Sequence, residues 1–176
     1  MQSKSGAFGS GVMISKEGYL LTAAHVVGAV GEIVTLFRVG ADPVAASVER
    51  ILYDQDVALV RVVEEESGVP FPFVEIDGGS IDLDSIVEVV AFGHASGFRE
   101  KRPAPPRLGY LTRNGGPDTL ISTVRLTAGD SGGPLFDLQG CLIGLHITVD
   151  PKSGQSTHVA ISGLRELWGD VFDPAS

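Results

Sequence analysis

Three short segments hold the residues best suited to covalent chemistry: Leu-Leu-Thr-Ala-Ala-His25-Val-Val, Asp56-Val-Ala-Leu-Val and Gly129-Asp130-Ser131-Gly132-Gly133-Pro134. A hydroxyl becomes a nucleophile when a base within hydrogen-bond reach takes its proton, and that base needs a third group to orient it. Ser131, His25 and Asp56 supply the three residue types. Singly, each has a plainer reading. A His among small residues is more often structural, an Asp opening a strand is usually a turn residue, and Gly-Asp-Ser-Gly-Gly can be a tight turn. Together they predict nucleophilic catalysis by a serine hydroxyl.

Elements that would position them are short and β-rich. The 23 Gly and 10 Pro punctuate β-branched runs, the pattern of an all-β chain. Strands are expected at Gly11–Ser15, Tyr19–Thr22, Ile33–Arg38, Val44–Tyr53 and Val57–Val63. A second group is expected at Ile86–Phe92, Leu108–Thr112, Leu120–Arg125, Leu135–Phe136, Cys141–Ile147 and His158–Ile161. Between them Glu64–Asp84, with three consecutive Glu, two Pro and a Gly-Gly pair, reads as a connector. One helix is expected at Gly163–Trp168, where Leu164, Leu167 and Trp168 share a face and Ser162 would be the N-cap. Trp168 would anchor that helix in the core. Two small antiparallel barrels with a closing helix is the economical reading.

Composition bounds the function. A chain of 176 residues can bury roughly 70% of its unfolded surface, so a core needs no staples. The single cysteine, Cys141, excludes an intramolecular disulfide and reads as a buried small hydrophobe. A formal net charge of −9, with no basic cluster beyond the proline-rich loop Arg99–Arg107, argues against nucleic acid as a partner. No apolar run reaches the ~20 residues of a membrane span. Met-Gln-Ser-Lys-Ser-Gly lacks the apolar centre of a signal peptide, which suits an intracellular protein or a domain cut from a longer chain, and the compartment stays open. No metal-site spacing is present and no cofactor is expected.

From the three segments outward the chain resembles chymotrypsin-like (trypsin-like) serine proteases, which share the chain order His, Asp, Ser. The closest resemblance is to the bacterial disulfide-free branch that includes the HtrA-type proteases. Phe-Gly-Ser-Gly-Val-Met-Ile-Ser with Gly-Tyr-Leu-Leu-Thr-Ala-Ala-His25 is similar to that branch's opening hairpin. Val-Val-Ala-Phe-Gly-His-Ala-Ser-Gly-Phe, Cys141-Leu-Ile-Gly-Leu-His146 and Val159-Ala-Ile-Ser are similar to strands of its second barrel. The resemblance implies an all-β fold of two six-stranded barrels and a short C-terminal helix. Residues 1–63 would carry His25 and Asp56, 64–84 would connect, and 85–176 would carry Ser131.

It further implies a serine endopeptidase acting on a protein or peptide substrate. Ser131 would be the nucleophile, His25 the general base and Asp56, rather than nearby Asp54, the orienting carboxylate. The amides of Gly129 and Ser131 would form the oxyanion hole, and Asp130 would be structural. The substrate pocket would be walled by Val124–Ala128 and Leu145–Val149, with Thr157–Ala160 behind. Ile-Gly-Leu-His146 is similar to the Ile-Gly-Ile-His of bacterial glutamyl endopeptidases, so His146, helped by Thr127 and His158, would suit cleavage after Glu or Asp. The following Ile147-Thr148-Val149 departs from the Trp-Gly-Gly common there, and HtrA-type relatives prefer small aliphatic residues. His94 is read as an exposed loop residue. Two rivals remain: a latent or non-catalytic peptide-binding module on this scaffold, and an esterase with the same triad, which the scarcity of helix disfavours. HtrA-type gating leaves room for a regulatory domain or partner outside this chain.

Overall fold

The computed structural model describes residues 1–63, 71–74, 76, 87–100, 102–112, 115–116 and 118–165. The first half contains β1 (Val12–Met13), β2 (Tyr19–Ala23), β3 (Ile33–Arg38), β4 (Ala41–Leu52) and β5 (Val57–Val62). They form one antiparallel sheet in the order β1-β2-β5-β4-β3. The second half contains β6 (Glu88–Ala91), β7 (Arg107–Thr112), β8 (Thr119–Ser122), β9 (Pro134–Asp137), β10 (Leu142–Val149) and β11 (Ser156–Ala160). These six close into a barrel in the order β10-β11-β8-β7-β6-β9. The all-β, two-part architecture is thus as expected, with one difference: the first half has five strands among the described residues and its sheet is not closed.

Strand periodicity explains how the halves join. Successive strand side chains point to opposite faces. On β5, Ala58 and Val60 enter the core of the first half, packed with Leu20, Val34, Leu36 and Val48. Val57 and Leu59 point the other way and join Leu21, Leu142, Leu145, Val159, Ile161 and Leu164 in a second cluster between the halves. A third cluster, around Val89, Leu111, Leu120, Leu135 and Ile143, fills the closed barrel. This double burial is why β5 opens with four consecutive buried residues rather than alternating.

Of the expected connector only residues 71–74 and 76 are described, without regular structure; Phe71 is buried and lies under the Arg38 guanidinium, 4.2 Å from its ring centroid. The helix α1 begins earlier than the sequence pattern indicates, at Ile161, and is described to Arg165. Ser162 therefore lies inside the helix and is not its N-cap: β11 passes directly into α1 because Ile161 is drawn into the core between the halves. Leu167 and Trp168 lie outside the described residues. Cys141 is partly buried, directly before β10, against the barrel core. Among the described residues no helix is long and apolar enough to cross a membrane.

Candidate active site

Register brings His25 to Asp56. β2 and β5 pair antiparallel with Ala23 opposite Val57, so the residues just beyond β2 meet those just before β5. His25 sits in a single 3-10 turn, Ala24–Val26, and Asp56 ends another, Tyr53–Gln55. Asp56 takes a left-handed backbone (φ 55°), which Asp tolerates better than most residues, and this turns its carboxylate toward His25. The Ala24 amide donates to Asp56 O at 2.9 Å, the His25 amide to Asp56 Oδ1 at 2.8 Å, and His25 Nδ1–H to Asp56 Oδ2 at 2.6 Å. Both carboxylate oxygens hold the same residue, so the imidazole is fixed in orientation and its Nε2 is left for other chemistry. Asp54 lies within the turn before Asp56 and has no part in this pairing.

Ser131 lies in the loop between β8 and β9, which the first half grips directly. The Ser10 amide donates to Ser131 O at 2.8 Å, and Ser10 Oγ donates to Gly129 O at 2.8 Å while accepting from the His94 amide at 2.9 Å. Thr22 Oγ1 holds Ser10 in turn, donating to its carbonyl at 2.8 Å. Gly132 has φ +81°, and a Cβ there would lie 2.2 Å from Thr22 Oγ1 and 2.4 Å from Ser10 O. Only glycine allows the halves to meet this closely. His94 is half-buried rather than exposed, edge-on to Phe98, and burial lowers its pKa.

Two amides turn away from the loop's own bonds. In a planar trans peptide the C=O and N–H point in opposite directions. Ala128 O accepts from the Ser96 amide at 2.7 Å, which directs the Gly129 N–H the other way. Asp130 O accepts from the Gly133 amide at 2.9 Å, which does the same for the Ser131 N–H. Gly129 has φ +97°, and a Cβ there would lie 2.5 Å from His94 O. Neither amide has an acceptor among the described residues, a pattern that suits an oxygen carrying negative charge.

His25, Ser131, Leu126, Thr127, Ala128, Ile147, Thr148 and Val149 line one open cleft of about 380 Å³. Ser131 Oγ donates there to Ile147 O at 3.4 Å, and among the described residues it has no hydrogen bond to His25. Thr127 is on the lining, and its hydroxyl hydrogen goes to Asp130 Oδ2 at 3.1 Å.

The other two pocket candidates are placed elsewhere. His146 and His158 are 0% exposed, facing each other across β10 and β11 in the barrel interior. Proton counting fixes their tautomers. Phe92 O can only accept, so His146 Nε2–H donates to it at 3.1 Å. His146 Nδ1 then accepts from His158 Nδ1–H at 3.0 Å, and His158 Nε2 accepts from Ser122 Oγ–H at 2.8 Å. Every ring nitrogen is satisfied with both rings neutral. Burial first, then the Arg107 charge, lowers the His146 pKa to about 3 despite the bond to Phe92 O; burial and His146 push His158 well below its usual value. The main chain of β10 holds the loop: His146 O accepts from the Gly132 amide at 2.7 Å and the His146 amide donates to Gly133 O at 2.8 Å.

Sequence reasoning missed Ser10, Thr22 and Arg107, which touch the serine loop from far upstream, Arg107 from 23 residues before Asp130. Ser10 and Thr22 stand in the runs of the first hairpin and before His25, where nothing local marks their hydroxyls as loop contacts, and Arg107 ends the stretch read as a proline-rich loop. Instead it opens β7 and reaches inward to Asp130.

The profile of the trypsin-like peptidase domain matches residues 9–145, from the segment that grips the serine loop to the middle of β10. The chain belongs to the trypsin-like peptidase domain family. Within that family its similarity runs to the DegP/HtrA type of serine protease. The trypsin-like domain is 32% identical over 184 residues to a probable periplasmic serine endoprotease, DegP-like, of Pseudomonas fulva (strain 12-X), covering 98% of this chain and 35% of the relative. It is 34% identical over 158 residues to the DegP-like protein of Pseudomonas fluorescens, covering 87% and 32%. It is 30% identical over 174 residues to serine protease HTR4 of Rattus norvegicus, covering 94% and 34%. The trypsin-like domain thus spans about a third of the length of the curated relatives it matches.

Proposed function

We propose that this chain is a serine endopeptidase that hydrolyses peptide bonds through an acyl-enzyme on Ser131. One observation carries the reading: His25, bonded twice to Asp56, lines the same cleft as Ser131, beside Gly129 and Ser131 amides that have no acceptor among the described residues. The Ser131 hydroxyl exchanges Ile147 O for His25 Nε2, and Oγ attacks the substrate carbonyl as His25 takes its proton. Asp56 holds the tautomer and stabilises the imidazolium. The carbonyl oxygen gains charge between the Gly129 and Ser131 amides. His25 then gives its proton to the departing amine, and water, activated by the same ring, releases the acyl group.

Leu126, Ala128, Ile147 and Val149 make the cleft wall mostly aliphatic, which favours small aliphatic side chains on the acyl side of the cut. The imidazole donors that would favour cleavage after Glu or Asp, on His146 and His158, have their ring nitrogens engaged internally. Digestion of a diverse peptide library, with Ser131→Ala as control, tests both statements. Cuts after Ala, Val or Thr that vanish in the variant are expected. Enrichment of Glu and Asp would replace the specificity proposal, and absence of cutting would favour the latent or peptide-binding reading.

A further inference from the structure

Asp130 precedes the nucleophile and its carboxylate is fully buried, so it needs a counter-charge, and Arg125, the cation of its own loop, is exposed instead. The cation comes from 23 residues upstream. Arg107, the first residue of β7, places Nη1 2.5 Å from Asp130 Oδ2 and Nη2 2.8 Å from Oδ1. The Thr127 amide completes Oδ2 at 2.7 Å. This two-pronged geometry is one that a guanidinium provides and an ammonium does not. The neighbouring chain is shaped to admit it: a Cβ on Gly93 would lie 2.5 Å from Asp130 Oδ1 and 3.1 Å from Arg107 Nη2.

The pair acts on the loop's main chain. With its side chain held, Asp130 donates its amide to Thr127 O at 3.0 Å and offers its carbonyl to the Gly133 amide at 2.9 Å. The second bond is the one that turns the Ser131 N–H outward, and the first closes the turn that carries Ala128 and Gly129. We propose that Arg107 is the positioning residue of the oxyanion loop. Its guanidinium fixes Asp130 and so keeps the Gly129 and Ser131 amides facing the cleft, with the counter-charge drawn from the barrel wall of the same domain. Without it the Asp130 carboxylate must move toward water, and the peptide planes on either side of it must turn. This role rests on Ser131 being the nucleophile.

The test compares Arg107→Met, Arg107→Lys and the double variant Arg107→Met with Asp130→Asn. Three readouts are taken: peptide turnover, phosphonylation of Ser131 by a fluorophosphonate, and amide hydrogen exchange across 127–133. Arg107→Met is expected to lower kcat by about 10²–10³, the size of losing an oxyanion donor, with KM changed only a few-fold and faster exchange at Gly129 and Ser131. Arg107→Lys is expected to fall between, since charge is kept without the fork. Asp130→Asn in the Met background removes the stranded charge and is expected to recover at least tenfold of the loss. Should Arg107→Met fail to fold, the lysine and double variants carry the comparison. Turnover within threefold of the parent with unchanged loop exchange in the variants would overturn the inference, as would a double variant no better than Arg107→Met. If the parent neither turns over peptide nor labels at Ser131, the functional reading fails, and loop exchange alone decides whether Arg107 sets the loop.

Discussion

Replacing Asp56 by Asn removes the charge that His25 Nδ1–H meets at 2.6 Å while keeping a side chain that tolerates the left-handed backbone at φ 55°. The amide can present its NH2 to the ring and stabilise the tautomer with hydrogen on Nε2, which cannot accept the serine proton. Turnover is expected to fall by about 10⁴, the loss known for the same change in the serine-protease triad, with the fold unchanged by circular dichroism. A loss below tenfold would separate Asp56 from the chemistry. The neighbouring Asp54 shows how narrow the choice is: two positions away on the same turn, it has no bond to His25, because only the residue that ends the turn faces the β2 end.

Elements β10 and β11 carry a buried polar pair in place of an apolar one. His146 and His158 are neutral in the folded barrel, His146 with a pKa of about 3 against an ordinary 6.5 and His158 well below the same value. The unfolded chain therefore binds more protons than the folded one below about pH 6.5, and stability rises with pH in that window. As pH falls from 6.5 toward 3, the pair is expected to destabilise the fold with a slope approaching two protons. Urea denaturation at pH 7 and pH 4.5 measures it. The double variant His146→Leu with His158→Phe should lose less stability than the parent between those values, and equal losses would sink the account. The same two strands hold the serine loop through the His146 main chain, so acid that opens the pair is expected to release Gly132 and Gly133 as well.

For the whole molecule, the cluster of Val57, Leu59, Leu21, Leu142, Leu145, Val159 and Leu164 lies between the cores of the two halves and joins them. The halves are also joined at the site by Ser10, which bonds both Ser131 and Gly129. Unfolding is accordingly expected in one transition. Leu145→Ala, at a side chain with no exposure, should cost about 2–5 kcal/mol and speed hydrogen exchange in 12–62 and 87–160 together. Protection that persists in the first half after the barrel opens would refute the shared core.

Local chemistry made the proposed triad legible. His25, Asp56 and Ser131 each stand in a short run whose residue types signal a turn beside a strand, and the strand runs are continuous enough to read from composition. The closed barrel's strands appear in the sequence within a few residues of their observed bounds. Other features depended on which strands become neighbours. The pairing order of the first sheet, the α1 start at Ile161 and the double burial of β5 depend on long-range packing, which no local run encodes. His146 looked like a pocket residue because its strand borders the cleft; alternation along β10 turns its ring inward, and a second His across the pair satisfies it there. Arg107 looked solvated because nothing near it in sequence is acidic and buried. Its partner is set by the barrel's closure, which carries Asp130 to the start of β7, and long-range pairing of this kind is decided by tertiary packing alone.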